Sequence, residues 1–237
     1  MSFLGANPVR VLADPVGAPN PWFSWSYVRE NSDTILHLLR YHAILTAEAV
    51  LVAAVVAIPL GILGYWLRPL AAPIMGISNV LYTIPSLALF AFLAPFTGVT
   101  GTTTILIGLV LYALTQIVSN TITGLRQVPP DVEDAATGMG YGRAARLFRV
   151  ELPLALPSIM TGIRLATVST VALVTVGVIT GQGGLGQLII AGLQNNFYRA
   201  EVMTGTIMCL ALGLVLDLFL WGLTRLITPW ARRGAVG

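Results

Sequence analysis

Lysine is missing from all 237 residues, and its absence removes one whole class of activity. A Walker-type phosphate loop needs a lysine to reach the nucleotide phosphates, so any ATP hydrolysis that serves this protein must take place on another chain. Charge of either sign is scarce: 10% of residues are charged, against roughly 25% in soluble domains. With 56% hydrophobic residues and a mean hydropathy of +0.82, the composition excludes a soluble globule and points to an integral membrane protein. The one cysteine, Cys209, lies in an apolar run, which excludes an intrachain disulfide and a cysteine-based metal site. His37 and His42 have no cysteine near them and read as interfacial histidines rather than metal ligands. The thirteen arginines show no interleaving with aromatics, so nucleic acid is not an expected partner. No paired catalytic carboxylates or nucleophile with its base stand in a suitable context, which speaks against a membrane enzyme.

Long hydrophobic runs, by contrast, are abundant. Five stretches, 44–67, 71–96, 102–125, 156–180 and 203–228, are each long enough to cross a bilayer, which takes about 20 apolar residues. The expected fold is all-α and polytopic: an external segment 1–42, a transmembrane domain 43–228 and a short cytoplasmic tail 229–237. Residues 1–42 lack a basic head followed by a short apolar core, so no secretory signal is expected there. The prolines from Pro8 to Pro21 suggest an irregular tail, and residues 23–42 an amphipathic helix lying at the interface. Placing loop 126–155 in the cytoplasm puts nine arginines inside and leaves Arg10, Arg29, Arg40 and Arg199 outside. The positive-inside rule thus predicts an external amino terminus and a cytoplasmic carboxyl terminus, with an uncharged external connection at 97–101.

A charge within the bilayer costs about 2.5–3.5 kcal/mol even on lenient insertion scales, so Asp217 in the fifth run is expected to face the bundle or a dimer interface and to find a donor. Glu48 fits an interfacial place, and Arg164 and Arg225 can snorkel towards cytoplasmic headgroups. Pro59 and Pro85 remove backbone hydrogen bonds inside their runs and can kink them. Gly181, Gly183 and Gly186 match G-x-G-x-x-G, but they follow an apolar helix and not a strand, so they read as a turn and not as a dinucleotide site.

The least lipid-compatible segment is 131–153, DVEDAATGMGYGRAARLFRVELP. Pro129 and Pro130 stop the third run. Asp131 is placed to cap a short helix, and Asp134 lies in its first turn, where an acid favours the positive end of the helix dipole. That helix runs through Ala135, Ala136 and Thr137 until Gly138, Gly140 and Gly142 break it. A second, basic helix through Arg143, Arg146 and Arg149 leads to Pro153. Small residues and glycines suit the close approach of another protein's surface; a solvated loop with ordinary turn glycines explains the same composition.

The spacing Asp134-Ala135-Ala136, three residues, Gly140, nine residues, Val150, one residue, Leu152-Pro153 resembles the "EAA" loop of binding-protein-dependent ABC transporter permeases, E-A-A-x3-G-x9-I-x-L-P. Asp134 replaces Glu and Val150 replaces Ile, both conservatively. The loop also follows the third of five spans, as in the MetI-like permease core. In addition Tyr82-Thr83-Ile84-Pro85-Ser86-Leu87-Ala88-Leu89-Phe90, Val110-Leu111-Tyr112 with Asn120-Thr121, and Gly183-Gly184-Leu185-Gly186 are similar to the glycine betaine/carnitine/choline (osmoprotectant) permeases.

The resemblance implies a five-helix permease subunit of an ABC importer for compatible solutes, without covalent chemistry of its own. It implies three protein partners: a cytoplasmic ATPase that holds ATP and magnesium, a second permease subunit, identical or related, and an extracytoplasmic substrate-binding protein. Asp134, Ala135, Ala136, Gly140, Val150, Leu152 and Pro153 would then form the ATPase-coupling element. Tyr82, Pro85, Ser86, Phe90, Tyr112 and Asn120 are candidates for the solute pathway, because aromatic faces attract a quaternary ammonium headgroup. The location implied is the bacterial inner membrane. The rival readings are the same machine with another cargo, an amino acid or sulfonate, and a structural or channel protein without an ATPase.

Overall fold

The computed structural model describes residues 20–97, 101–181 and 183–230, and among them every regular element is helical. The irregular tail expected before Pro21 lies almost wholly outside the described residues. So do most of the 97–101 connection and the carboxyl-terminal segment from residue 231, with Arg232 and Arg233.

The chain opens with α1 (Trp25–Glu30), started by the Ser24 hydroxyl, which accepts the Tyr27 amide at 3.3 Å. It then enters α2 (Ser32–Trp66), a helix of 35 residues. The interfacial helix expected over 23–42 is not one separate element: α1 is a short helix of its own, and 32–42 runs without a break into the first long apolar helix. Its spacing explains why. Ile35, Leu38 and His42 recur every three or four positions and are buried. His42 is accordingly no interfacial histidine. The Leu185 amide donates to its Nδ1 at 3.3 Å, which leaves the proton on Nε2 to be donated to the Val171 carbonyl at 3.0 Å.

The second apolar run does not form one helix. It is α3 (Arg68–Thr83) and α4 (Ser86–Thr97), bent by 98° at Ile84-Pro85. Proline supplies no amide to continue the ladder, and carbonyls freed in a membrane need other donors. The next helix, α5 (Thr102–Arg126), provides one: the Tyr112 hydroxyl donates to the Ile84 carbonyl, and further up α3 the Thr115 hydroxyl ties the two helices through the Ser78 carbonyl at 2.9 Å.

A short helix outside the long apolar segments, α6 (Pro130–Gly138), follows. Then α7 (Arg143–Arg146), a π-turn over Leu147–Glu151 and α8 (Leu152–Val176) run on as one continuous helix of 34 residues. The expected separate basic helix ending before Pro153 is thus the first part of the fourth span. Pro153 directly follows the π-turn, so its missing amide falls where the i→i−4 ladder is already interrupted. A 3-10 turn at Gly177–Thr180 and the glycine turn lead into α9 (Gly186–Gln194), which hydropathy alone leaves as a loop, and then α10 (Arg199–Ile227). Gly181 and Gly184 have φ of +80° and +51°, and a Cβ on Gly186 would lie 2.5 Å from the Thr175 carbonyl oxygen. This segment is a turn, as expected, folded tightly back on α8.

Counting the bent pair as one, five segments are long and apolar enough to cross a membrane. At their centre α5 lies between α2 and α8. Ala53 and Ala57 of α2, Ala113, Ile117 and Ile122 of α5 and Ala166 of α8 form a buried cluster in which small residues let the backbones approach. Arg164 does not snorkel. Its Nε and Nη2 each donate to a different Asp217 carboxylate oxygen at 2.8 Å, which gives Asp217 the donor it was expected to find and ties α8 to α10.

Candidate functional site

Helix α6, which carries the motif, starts from Pro129, with Pro130 in its first turn where the lost amide has no intrahelical role. Asp131 is not its cap: it lies inside the first turn together with Glu133, and both carboxylates complement the helix dipole from there. The helix ends at Gly138. The Gly140 amide bonds to the Thr137 carbonyl at 2.9 Å, and the φ of +84° at Gly140 turns the chain sharply towards α7. A left-handed conformation at that place accounts for a glycine in the motif without any reference to a partner.

The helix has two faces. Asp131, Asp134, Ala135 and Gly138, spaced i, i+3, i+4 and i+7, are exposed, and Met139 beyond them is 72% exposed. On the other face Ala136 is the one buried residue of α6, and Glu133 and Thr137 flank it. Of the motif residues, then, Asp134, Ala135 and Gly140 are open to a partner while Ala136 holds the helix to the body. Val150, Leu152 and Pro153 lie at least partly covered in the π-turn and the start of α8, so they shape the base of the loop and are not on its outer face.

The inner face meets a polar cluster that the sequence reading did not single out. Arg146 stands at its hub. Its Nε donates to Glu151 Oε1 at 2.6 Å, its Nη1 to the Thr137 hydroxyl at 3.1 Å, and its Nη2 lies 3.5 Å from Glu133 Oε2. Glu133 Oε1 also accepts from the Tyr65 hydroxyl of α2 at 3.3 Å. Beside it Arg143 donates to the Trp66 carbonyl at 2.8 Å and lies over the indole ring. Glu151 is fully buried, and Arg146 is the charged partner it meets there. Arginine and glutamate five apart fall off the i, i+4 ladder of an α-helix. The π-turn, with the Leu152 amide bonded back to Leu147, restores their register.

The pathway candidates do not form one site. Tyr82, Pro85 and Ser86 gather at the bend, with Tyr82 and Pro85 exposed and the Tyr82 ring edge-on to Tyr112 at 5.9 Å. Tyr112 itself is buried under the bend, where its hydroxyl serves the Ile84 carbonyl. Phe90 is buried against Gly108 of α5, whose added Cβ would lie 2.4 Å from the ring. Asn120 sits at the α5–α8 crossing and donates to the Gln116 carbonyl at 2.8 Å. Tyr112, Phe90 and Asn120 therefore have structural partners that explain them, and the aromatic exposed at the bend is Tyr82.

Comparison with known proteins agrees with this architecture. Residues 57–233 match the family described as "Binding-protein-dependent transport system inner membrane component". The osmoprotectant import permease protein OsmW of Salmonella typhimurium is 35% identical over 207 residues, 86% of this chain and 96% of that protein. The carnitine transport permease protein OpuCB of Listeria monocytogenes is 37% identical over 211 residues, 89% of this chain and 95% of the other. The choline transport system permease protein OpuBB of Bacillus subtilis is 35% identical over 204 residues, 86% and 93%. Among solved structures, a chain of the MetNI methionine ABC transporter in an inward-facing conformation superposes with a TM-score of 0.73 at 22% identity, covering 82% of this chain and 96% of that one. The chain belongs to the binding-protein-dependent transport system inner membrane components: it is a multi-pass inner-membrane permease subunit of an ABC importer, not itself an enzyme, in a family whose members work with an ATPase and a substrate-binding protein.

Proposed function

We propose that this permease carries quaternary-amine osmoprotectants of the glycine betaine, choline and carnitine type, and that α6 is its docking element for the ATPase. Two permease subunits, identical or related, enclose the pathway. A substrate-binding protein delivers the solute at the outer face, and closure of ATP-loaded ATPase subunits pulls the two α6 helices and reorients the bundle. ATP and magnesium stay on the ATPase. The amino terminus lies outside and the carboxyl terminus in the cytoplasm. The observation that carries the docking role is the two-faced helix: Asp134, Ala135 and Gly138 open on one side, Ala136 buried on the other. The cargo reading is supported by the likeness to osmoprotectant, carnitine and choline permeases over most of the chain. Tyr82, exposed at the 98° bend, is the aromatic face best placed to meet an ammonium headgroup.

The test is uptake of radiolabelled glycine betaine, choline and carnitine by cells carrying the complete transporter, with the wild type beside Asp134→Lys and Gly140→Val. A β-branched residue is strained at the φ of Gly140. Uptake that both variants abolish, with the protein still in the membrane, bears out docking and cargo together. Uptake that neither variant reduces removes the docking role. If no quaternary amine is taken up, the cargo belongs to another solute class, such as amino acids or sulfonates.

A further inference from the structure

The coupling helix would be useless if it could slide on the protein that it is meant to pull. Its apolar hold is slight, because Ala136 is its one buried residue, and a methyl group contributes only about 0.8 kcal/mol of burial. What binds its inner face is polar. Glu133 and Thr137 both reach Arg146, Arg146 reaches the buried Glu151, and Glu133 reaches Tyr65. These partners sit at the cytoplasmic ends of two different spans, Tyr65 in the last turn of α2 and Arg146 and Glu151 at the π-turn that opens α8. The neighbouring apolar cluster of Leu125, Leu147, Ala155 and Ile159 packs against Tyr65 and Trp66, so the polar hub rests on a rigid floor shared by α2, α5 and α8.

We infer that Arg146 is the positioning residue of the coupling step: with Glu133, Thr137, Glu151 and Tyr65 it forms a clamp that passes displacement of α6 to α2 and α8 together. The clamp is distinct from the docking face, since its members on α6, Glu133 and the exposed Thr137, are engaged by Arg146 and leave Asp134, Ala135 and Gly138 free. The geometry explains why a π-turn stands between α7 and α8 at this place. Without the wider turn, Glu151 would not return to Arg146. The inference rests on the proposal that α6 docks the ATPase.

The clamp predicts loss of coupling rather than loss of docking. In proteoliposomes holding the complete transporter with its binding protein, solute uptake and ATP hydrolysis are measured on the same preparation, and ATPase retained by the purified permease is quantified. Glu133→Ala with Thr137→Val cuts α6 from the hub and leaves the Arg146–Glu151 pair intact, so no buried charge is stranded. The ATPase should still co-purify, while solute moved per ATP falls by about threefold or more, the scale of single links in a coupling network. Arg146→Gln with Glu151→Gln removes both charges of the other link and should give the same signature. A merely structural role would lower uptake and hydrolysis together and leave their ratio unchanged, and that outcome overturns the clamp. Loss of the ATPase from the complex in the Glu133/Thr137 variant overturns it too, because those residues would then belong to the docking face. Asp134→Lys separates the two ideas: if it leaves the ATPase bound and the ratio unchanged, the docking reading fails, whatever the clamp variants do.

Discussion

Helices α5 and α10 are both long, apolar spans, yet they live in opposite surroundings. Buried residues run the whole length of α5, from Thr104 to Leu125. In α10 they stop at Leu212, and the lower half turns Leu214, Val215, Leu218, Phe219 and Leu226 outward. Hydropathy cannot separate the two, because lipid is as apolar as a protein core and gives no drive to hide a leucine. Small residues separate them. Where α5 crosses α8, a Cβ on Gly124 would meet Ser158 Cβ at 2.6 Å, and one on Gly162 would meet Asn120 Cβ at 2.7 Å. In α10, by contrast, Gly222 faces open space. The first helix is thus held by close packing along its length. The second is held by packing in its first half, between Ala200 and Leu212, and further along by the ion pair of Asp217 with Arg164.

If that contrast is right, the largest effect comes from spoiling the α5–α8 crossing. Gly124→Val meets the Ala155 carbonyl as well as Ser158, and backbone cannot move aside as a flexible side chain can. A loss of about 3 kcal/mol is expected, the upper part of the range for overpacking, read as a lower thermal midpoint and a smaller monodisperse fraction in detergent. An unchanged midpoint would mean that the crossing is looser than described. The next effect belongs to the ion pair that fastens the second half of α10. Asp217→Asn leaves Arg164 without its counter-charge and should cost about 2 kcal/mol, somewhat below the insertion cost of a charge because both side chains are more than a quarter exposed. Replacing the two together by leucine should recover most of that loss, since no unpaired charge remains. Failure of the double variant to recover would show that the pair does more than fasten two helices.

The same contrast marks what could be read from the sequence. The five spans were legible because each exceeds the bilayer thickness in apolar residues, and the motif located α6, since spacing survives the Asp134 and Val150 exchanges. Three features were hidden. The bend at Ile84-Pro85 lies within one unbroken apolar run, and a proline alone does not tell a kink from a 98° break; the donor Tyr112, which satisfies the Ile84 carbonyl at the break, comes from another helix. Helix α9 is only nine residues long, too short to register as a span, and glycine-rich chain precedes it. The Arg146 hub depends on a π-turn that puts residues five apart into contact, a spacing that no α-helical template searches. Burial also reassigned His42, which was expected at an interface and instead fills a gap left by Gly184.

The smallest expected effect sharpens the comparison most. Leu214→Ala with Leu218→Ala removes two large side chains from the outward face of α10, each more than half exposed. For the isolated subunit in detergent the stability change should stay within about 0.5 kcal/mol, as for surface substitutions away from any packed feature. Lipid or detergent replaces one apolar neighbour by another, so nothing is left unsatisfied. In the assembled transporter the same variant separates two surroundings that one chain cannot distinguish. If the second permease subunit covers this face, the variant weakens subunit association, and mass photometry should show free subunits at concentrations where the wild type stays paired. If lipid covers it, association is unchanged, and the dimer contact must be sought instead on the exposed sides of α3 and α4 around the bend, where Ile77, Val80, Tyr82 and Leu87 point away from the core.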